Sequence, residues 1–447
     1  MKQFAKYSGL GALAAATLTA LPVWAQEATE AAAEAAPVMD KGDVAWMMTS
    51  TALVLFMTIP GLALFYGGLV RAKNMLSILM QTTMIACVMM LVWVIYGYSF
   101  SFGGSTSPWW GGTGKLFLSG VTADSMAATF SAGYVIPEYL FIAFQMTFAA
   151  ITPALIIGAF AERVKFSAVL VFSVLWATFS YFPIAHMVWD ANGYLFAKGA
   201  IDFAGGTVVH INAGIAALVG CIVIGKRVGY GKDNMAPHSM VMTMIGASML
   251  WVGWFGFNVG SNLEANGGAT LAMINTFIAT AAATVAWSAL EGIQRGKASM
   301  LGAASGMVAG LVAVTPACGT IGPMGAILLG VLASAACYFF VTVVKNKLKY
   351  DDSLDVFGIH GVGGIVGAVL TGVFSAAAFG GVKGDDYAMA SQLWIQIEGV
   401  LITIVWSGVV SFVLYKAIDM TIGLRVDNDT ERQGLDLASH GEQAYHS

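Results

Sequence analysis

Apolar positions in this chain run together rather than alternate with polar ones. They form eleven stretches of roughly 20 residues, separated by short polar or glycine-rich breaks. At about 1.5 Å of rise per residue, each stretch can cross about 30 Å of hydrocarbon as a helix. The predicted spans are Val44–Leu69, Met75–Phe100, Tyr139–Phe160, Phe166–Met187, Ala204–Ile224, Met240–Gly260, Ala269–Glu291, Ser299–Pro316, Met324–Val344, Val356–Ala378 and Leu393–Ile418. The expected fold class is an all-α polytopic membrane protein with eleven transmembrane helices.

The charges between the spans test that count. With the N-terminus outside, alternate connections face the cytoplasm, and these hold Arg71, Lys73, Arg163, Lys165, Lys226, Arg227, Lys232, Arg295, Lys297, Lys345, Lys347 and Lys349. The end of the last span and the tail add Lys416, Arg425 and Arg432, whereas the outer segments carry only Lys41, Lys115, Lys198 and Lys383. Positive charge thus collects on one side, as it does at cytoplasmic faces. An odd number of spans then places the C-terminus in the cytoplasm and the N-terminus outside.

The first residues predict a cleaved signal peptide over residues 1–25. Lys2 and Lys6 form its basic start, Leu10 to Leu21 its short apolar run, and Val23-Trp24-Ala25 the small-x-Ala cleavage pattern. A periplasmic leader, residues 26–43, follows, and its stretch from Gln26 to Ala36 is rich in Ala and Glu. Residues 44–420 form the membrane domain and residues 421–447 a cytoplasmic tail.

Composition agrees with lipid as the covering. Hydrophobic residues make up 58% of the 447 and charged ones 10%, against about 25% in a soluble domain. So little charge cannot cover a soluble surface. The net charge of −4 is small, and no basic cluster points to nucleic acid. Cys87, Cys221, Cys318 and Cys337 have no paired spacing, so no disulfide framework, metal site or cofactor is expected.

Two segments resemble each other. Asp202-Phe-Ala-Gly205 opens the fifth span and Asp355-Val-Phe-Gly358 the tenth, and each is followed by a histidine, His210 or His360. Each histidine has a glycine four residues later, Gly214 or Gly364, although the Asp-to-His spacing differs, eight against five. Five spans per half is an odd number, so two such halves have opposite orientation. That is the inverted five-plus-five plan of many transporters, with a last helix outside the repeat and the site near the midplane. A histidine pair near the pseudo-twofold axis follows from it.

Ionisable groups inside a bilayer are costly and default to functional hypotheses. They are few: His210, His360, His186 near an outer end, Glu398, and Asp202 and Asp355 at helix starts. For the two aspartates a helix N-cap is the first reading, and for Asp202 attraction of a cation at the outer mouth is the alternative. A neutral imidazole offers one donor and one acceptor, which suits a small, weakly polar molecule better than a bare ion. Aromatic groups are the other signal: Trp251 to Ser261 at the end of the sixth span, Phe144 and Phe148 in the third, and Trp189 after the fourth. Aromatic faces attract cations and can plug a narrow pore; packing and interfacial anchoring are the plainer reading, and Trp109 and Trp110 in the long loop from Ser101 to Glu138 suit the latter.

Here the residues become specific. Asp202-Phe-Ala-Gly-Gly-Thr-Val-Val-His210-Ile-Asn-Ala-Gly, Gly158-Ala-Phe-Ala-Glu-Arg163, Trp254-Phe-Gly-Phe-Asn258, Val314-Thr-Pro-Ala-Cys-Gly319 and Asp355-Val-Phe-Gly-Ile-His360-Gly resemble, in order, segments of the ammonium transporter family (Amt/Mep/Rh), its bacterial members above all. The resemblance covers essentially the whole mature chain. It implies a homotrimer in a bacterial inner membrane, each subunit with its own narrow hydrophobic pore. It matches Phe144, Phe148, Trp189 and Ser261 to an outer site that recruits ammonium, with Asp202 buried beside it in support. Phe148 and Phe257 match stacked rings gating the pore, His210 and His360 twin histidines lining it, and Trp254 and Thr315 residues near the path. The implied activity is recruitment of ammonium, its deprotonation, and conduction of ammonia with or without the proton.

The tail, from Gly423 through Glu431-Arg-Gln-Gly-Leu-Asp436 to Tyr445, also resembles the family, where it is associated with docking of a PII-type nitrogen-regulatory protein. By composition alone it reads as a solvated, partly disordered end. An ammonium sensor signalling through such a partner is the alternative function. Histidines as haem ligands and an intramembrane hydrolase are weaker rivals: paired histidines are too few for a multihaem bundle, and no Gly-x-Ser-x-Gly elbow is present.

Overall fold

A computed structural model describes residues 37–445; the expected signal peptide and the first part of the leader lie outside the described residues. Among these, ten helices are long and apolar enough to cross a membrane: α1 (Lys41–Leu69), α2 (Ala72–Phe102), α3 (Glu138–Phe160), α4 (Phe166–Ala197, turning at residues 190–193), α5 (Gly206–Ile224), α6 (Met240–Val259), α7 (Gly267–Arg295), α9 (Pro323–Leu348), α10 (Phe357–Phe374) and α11 (Met389–Thr421). Between α7 and α9 lies α8 (Met300–Val314), only 15 residues long. The predicted eighth span ran on to Pro316. Pro316 has no amide hydrogen to return to the helix, so the helix stops at Val314, with Thr315 as a still-helical cap, and a run of turns follows. Being buried from Gly306 to Val314, α8 faces protein rather than lipid. The chain is a polytopic helical membrane protein.

Local sequence sets many of the helix starts. Asp40, Ser239, Asn266 and Ser299 each turn a side-chain oxygen onto first-turn amides of α1, α6, α7 and α8, each contributing about 1 kcal/mol. Small residues set the packing of the second half. A Cβ on Gly306 or Gly310 of α8 would sit 2.9 or 2.8 Å from carbonyl oxygens of α7, and one on Gly330 of α9 2.3 Å from the Ala279 carbonyl. Backbones approach that closely only where the side chain is a hydrogen.

Two ends of the bundle are distinguishable. One carries a small sheet that the hydrophobic pattern did not reveal, with β1 (Val38–Met39) parallel and β2 (Met126–Ala128) antiparallel to a central β3 (Tyr134–Pro137). Beside it Glu264 holds Ser131, and Lys198 pairs with Glu398. The other end carries a buried ion network in which Glu162 bonds Arg71 and Arg227, and Arg227 forks onto Asp351. Burial alone would raise the Glu162 carboxyl; the Arg227 and Arg71 charges outweigh it and hold it below the usual carboxylate range.

The tail packs against that charged end and is ordered through Tyr445, unlike the solvated end its composition suggests. Glu431, in the short helix α12 (Asn428–Gln433), accepts from Val228 N and pairs with Arg425. Asp436 accepts the Leu76 and Ser77 amides, so the tail itself caps the start of α2. Charged tail residues serve as partners for amides the helices leave open, which is why polarity misled.

At the centre, α5 and α10 cross in opposite directions, one starting near the sheet and the other near the ion network. The second half's capping aspartate is a correction. The expected N-cap, Asp355, caps nothing; its φ is +60° and its carboxylate pairs with Lys345. Asp352 instead accepts from Val356 N and Phe357 N at 3.0 and 2.8 Å. Asp352 precedes His360 by the same eight residues that separate Asp202 from His210. The left-handed residue then falls in register too, Gly205 (φ +110°) in one half and Asp355 in the other. Both helices open with a wide π turn, Gly206–Ile211 and Phe357–Gly361, which carries the histidine.

The crossing is set by Gly214 and Gly364. A Cβ on Gly214 would lie 2.3 Å from the Gly361 amide nitrogen and 2.4 Å from its Cα, and one on Gly364 3.1 Å from the Gly206 carbonyl. Gly214→Ala is therefore expected to force α5 from α10, lowering stability by roughly 1–3 kcal/mol and parting the histidines; thermal unfolding of the purified protein measures the first effect. A melting temperature equal to wild type would show that the crossing is looser than this.

Candidate functional site

The predicted site residues gather into one column across the bundle. At the sheet end, a cavity of about 40 Å³ is lined by Phe144, Gln145, Trp189, Phe203, Ser261 and Leu263, room for a particle the size of a water molecule. The Ser261 hydroxyl donates to the Phe257 carbonyl at 2.8 Å, so its oxygen lone pairs remain for a donor in the cavity. The indole N–H of Trp189 is spent on the Asp202 carbonyl at 3.0 Å, which fixes its ring plane. Cation–π attraction and oxygen acceptors are thus what this pocket offers.

Three lining residues, Gln145, Phe203 and Leu263, went unassigned in the sequence. Phe203 and Leu263 are apolar wall, and Gln145 carries a buried side-chain oxygen that has no hydrogen-bond partner. The signal for Gln145 was its place between Phe144 and Phe148 on α3.

Asp202 is buried and touches no lumen directly. Its two oxygens accept four successive amides, from Gly205, Gly206, Thr207 and Val208, at 2.6 to 3.1 Å. That is the N-cap reading in full, and it points the π turn carrying His210 into the column.

Below the pocket, the Phe148 and Phe257 rings stack with centroids 4.1 Å apart and planes 26° apart. Phe144 and Trp189 each meet Phe148 edge-on, at 5.0 and 5.8 Å. Both stacked rings are almost wholly buried, so a particle passing between them leaves water.

The histidines lie next. His360 Nδ1 and His210 Nδ1 are 3.2 Å apart, with ring centroids 5.3 Å apart and planes 23° apart. A contact between two ring nitrogens requires that one carry a hydrogen and the other a lone pair. Trp254 stacks on His210 with centroids 5.3 Å apart, and its indole N–H donates to the Thr315 hydroxyl at 2.9 Å. That bond, with Thr315 donating to the Leu311 carbonyl, anchors the column to α8. His360 also borders a second cavity of about 230 Å³ opening toward the ion network.

The other candidates are structural. His186 meets the Ser101 and Ser107 carbonyls at 2.8 and 2.7 Å and pins the long loop. Glu398 bonds Tyr194 and Lys198. Trp109 stacks on Tyr194 at 5.0 Å.

A small aromatic pocket, a buried ring stack and a hydrogen-bonded histidine pair thus lie in series across the bundle. The chain has relatives among known proteins. The Ammonium Transporter Family model matches residues 45–445. An ammonium transporter of Aquifex aeolicus is 48% identical over 412 residues, covering 91% of this chain and 94% of its own length. One of Bacillus subtilis is 45% identical over 416 residues, covering 91% and 99%. Among solved structures, Candida albicans Mep2 aligns with a TM-score of 0.81 at 35% identity, covering 91% of each chain. A structure titled Sensor Amt Protein aligns with a TM-score of 0.81 at 27% identity, covering 89% of this chain and 98% of its own.

Proposed function

Because this chain belongs to the ammonium transporter family, and is therefore a transporter rather than an enzyme, we propose that each of its subunits conducts ammonium-derived ammonia along the column just described. The observation that carries the proposal is the unbroken series of Phe144/Trp189/Ser261 pocket, Phe148–Phe257 stack and His210–His360 pair. The subunit sits in a bacterial inner membrane with the sheet end periplasmic and the tail cytoplasmic, following the Lys/Arg asymmetry. The eleven helices then follow the inverted five-plus-five plan with α11 outside the repeat. Three copies form the functional assembly, by analogy with the family.

The physical problem is rejection of K⁺, nearly the size of ammonium. Unlike K⁺, ammonium donates hydrogen bonds and can lose a proton. The aromatic faces and the Ser261 and Gln145 oxygens bind the cation; the dry ring stack makes charge costly and favours deprotonation. Ammonia then crosses bonded to the histidines, and K⁺, which has no neutral form, is refused. The released proton either stays outside or follows along the histidines.

The test is an ammonium jump on proteoliposomes, following current and internal pH together. Current absent with K⁺ is the result of net ammonium movement, and internal alkalinisation without current that of ammonia alone. Neither signal, or equal currents for both ions, would overturn the proposal. A second reading, an ammonium sensor acting through a PII-type partner, is favoured by one observation: the tail is bonded to the charged mouth through Glu431 and Asp436. Flux-dead variants that still recruit the partner would support it.

A further inference from the structure

The inner cavity beside His360 is lined on one side by apolar groups, Phe65, Leu69, Leu301 and Ile359 among them, and on the other by polar and charged ones. In its wall stands a carboxylate. Asp355 occupies the left-handed position that is glycine in the matching turn of the other half. Most side chains are disfavoured there, and aspartate is one of the few that enter it. The carboxylate is accessible, with 31% of the side chain exposed. A carboxylate in the wall of a confined mouth attracts a small cation more strongly than one in open water, which is a defect at the exit of a channel that must release its solute.

That carboxylate is already occupied. Lys345, at the end of α9, places its ammonium head on one oxygen of Asp355 and donates to the Asp352 carbonyl at 3.0 Å. The second oxygen of Asp355 takes no hydrogen bond among the described residues. A primary ammonium head has the charge and the N–H donors of ammonium itself, but it is tied to the chain. Arg227, the other cation lining this cavity, is committed to Asp351 and Glu162 and is not available to compete.

Resting on the transport reading above, we propose that Lys345 is a tethered stand-in for the transported cation, holding Asp355 so that ammonium reaching the inner mouth is not retained there. A short tether gives its head an effective concentration on the order of millimolar or more. Free ammonium below that level does not displace it. Without the lysine, Asp355 becomes an inner binding site, and cytoplasmic ammonium blocks the exit.

The experiment is uptake of ¹⁵N-ammonium into proteoliposomes of the full chain, oriented tail inward and preloaded with unlabelled ammonium. Wild type is expected to keep its initial rate below roughly 1 mM internal ammonium. Lys345→Met is expected to lose rate severalfold over that range, and Lys345→Met with Asp355→Asn to recover it. Lys345→Gln, similar in size and uncharged, should repeat the Lys345→Met result and serves if that variant folds poorly. Rates that depend on internal ammonium equally in wild type and both single variants would overturn the proposal, as would block that persists in the double variant. A wild type that moves no label would instead overturn the transport reading and this inference with it.

Discussion

Asp202→Ala is expected to lose both ordered protein and ammonium flux. Its carboxylate is the acceptor for four buried amides, and alanine leaves all four without a partner. A buried donor left unpaired costs about 1–3 kcal/mol. Effects on neighbours are not additive, so a loss on the order of 4 kcal/mol is the expected total. That is a large part of the 5–15 kcal/mol typical of a whole domain. Thermal unfolding of the purified protein reads it directly. Asp202→Asn keeps one acceptor oxygen and turns an NH₂ toward amides that need an acceptor, so it should recover little.

The pair of variants also separates the two roles open to Asp202. A purely electrostatic role, drawing a cation to the outer mouth, predicts unchanged melting and equal loss of flux in both variants. A capping role predicts a lowered melting temperature, and a smaller lowering for Asp352→Ala at the opposite end, since Asp352 holds only two amides of α10. A stable Asp202→Ala protein would remove the capping account.

The contrast between Asp352 and Asp355 shows what the sequence could and could not convey. Spans were legible because twenty apolar residues in a row admit almost no soluble reading. The duplication was legible through His210 and His360, yet the wrong aspartate was matched. Asp355-x-x-Gly358 looked like Asp202-x-x-Gly205, whereas the conserved geometry is an aspartate eight residues before the histidine with a left-handed residue three after it. Spacing to the histidine is the better guide than the four-residue Asp-x-x-Gly pattern. The ring stack and the outer pocket were reached only through family resemblance, because Phe148 on α3 and Phe257 on α6 meet by tertiary packing that periodicity does not encode. The small sheet was missed because β1 and β2 have only two and three residues, too short for alternation to register. The composition of the tail misleads because its charges are spent on amides of other segments and on its own Arg425.

The histidine pair makes the sharpest claim on transport. In the neutral pair, the ring that donates from Nδ1 has a lone pair at its Nε2, and the ring that accepts at Nδ1 carries its hydrogen at Nε2. The two rings therefore offer the path one acceptor and one donor. His210 Nε2 is buried without any partner, which is costly unless a solute supplies the bond. Ammonia, with a lone pair and N–H groups, fits both; K⁺ has no lone pair to accept the donor's hydrogen and fits only one. Replacing either histidine by leucine removes one offer and frees the Nδ1 of the other. The loss of one such hydrogen bond in the path, about 1.4 kcal/mol, corresponds to about a tenfold slower passage. Because the rings act as a unit, the double leucine variant should fall little further than either single one, a failure of additivity that a double-mutant cycle measures as a coupling energy. Exclusion of K⁺ should survive in all three, since the Phe148–Phe257 stack above is untouched. Initial rates of ammonium uptake at wild-type level in both single variants would mean that the solute takes another route. Fully additive losses would mean that the histidines bind it independently and that their mutual contact serves the crossing of α5 and α10 alone.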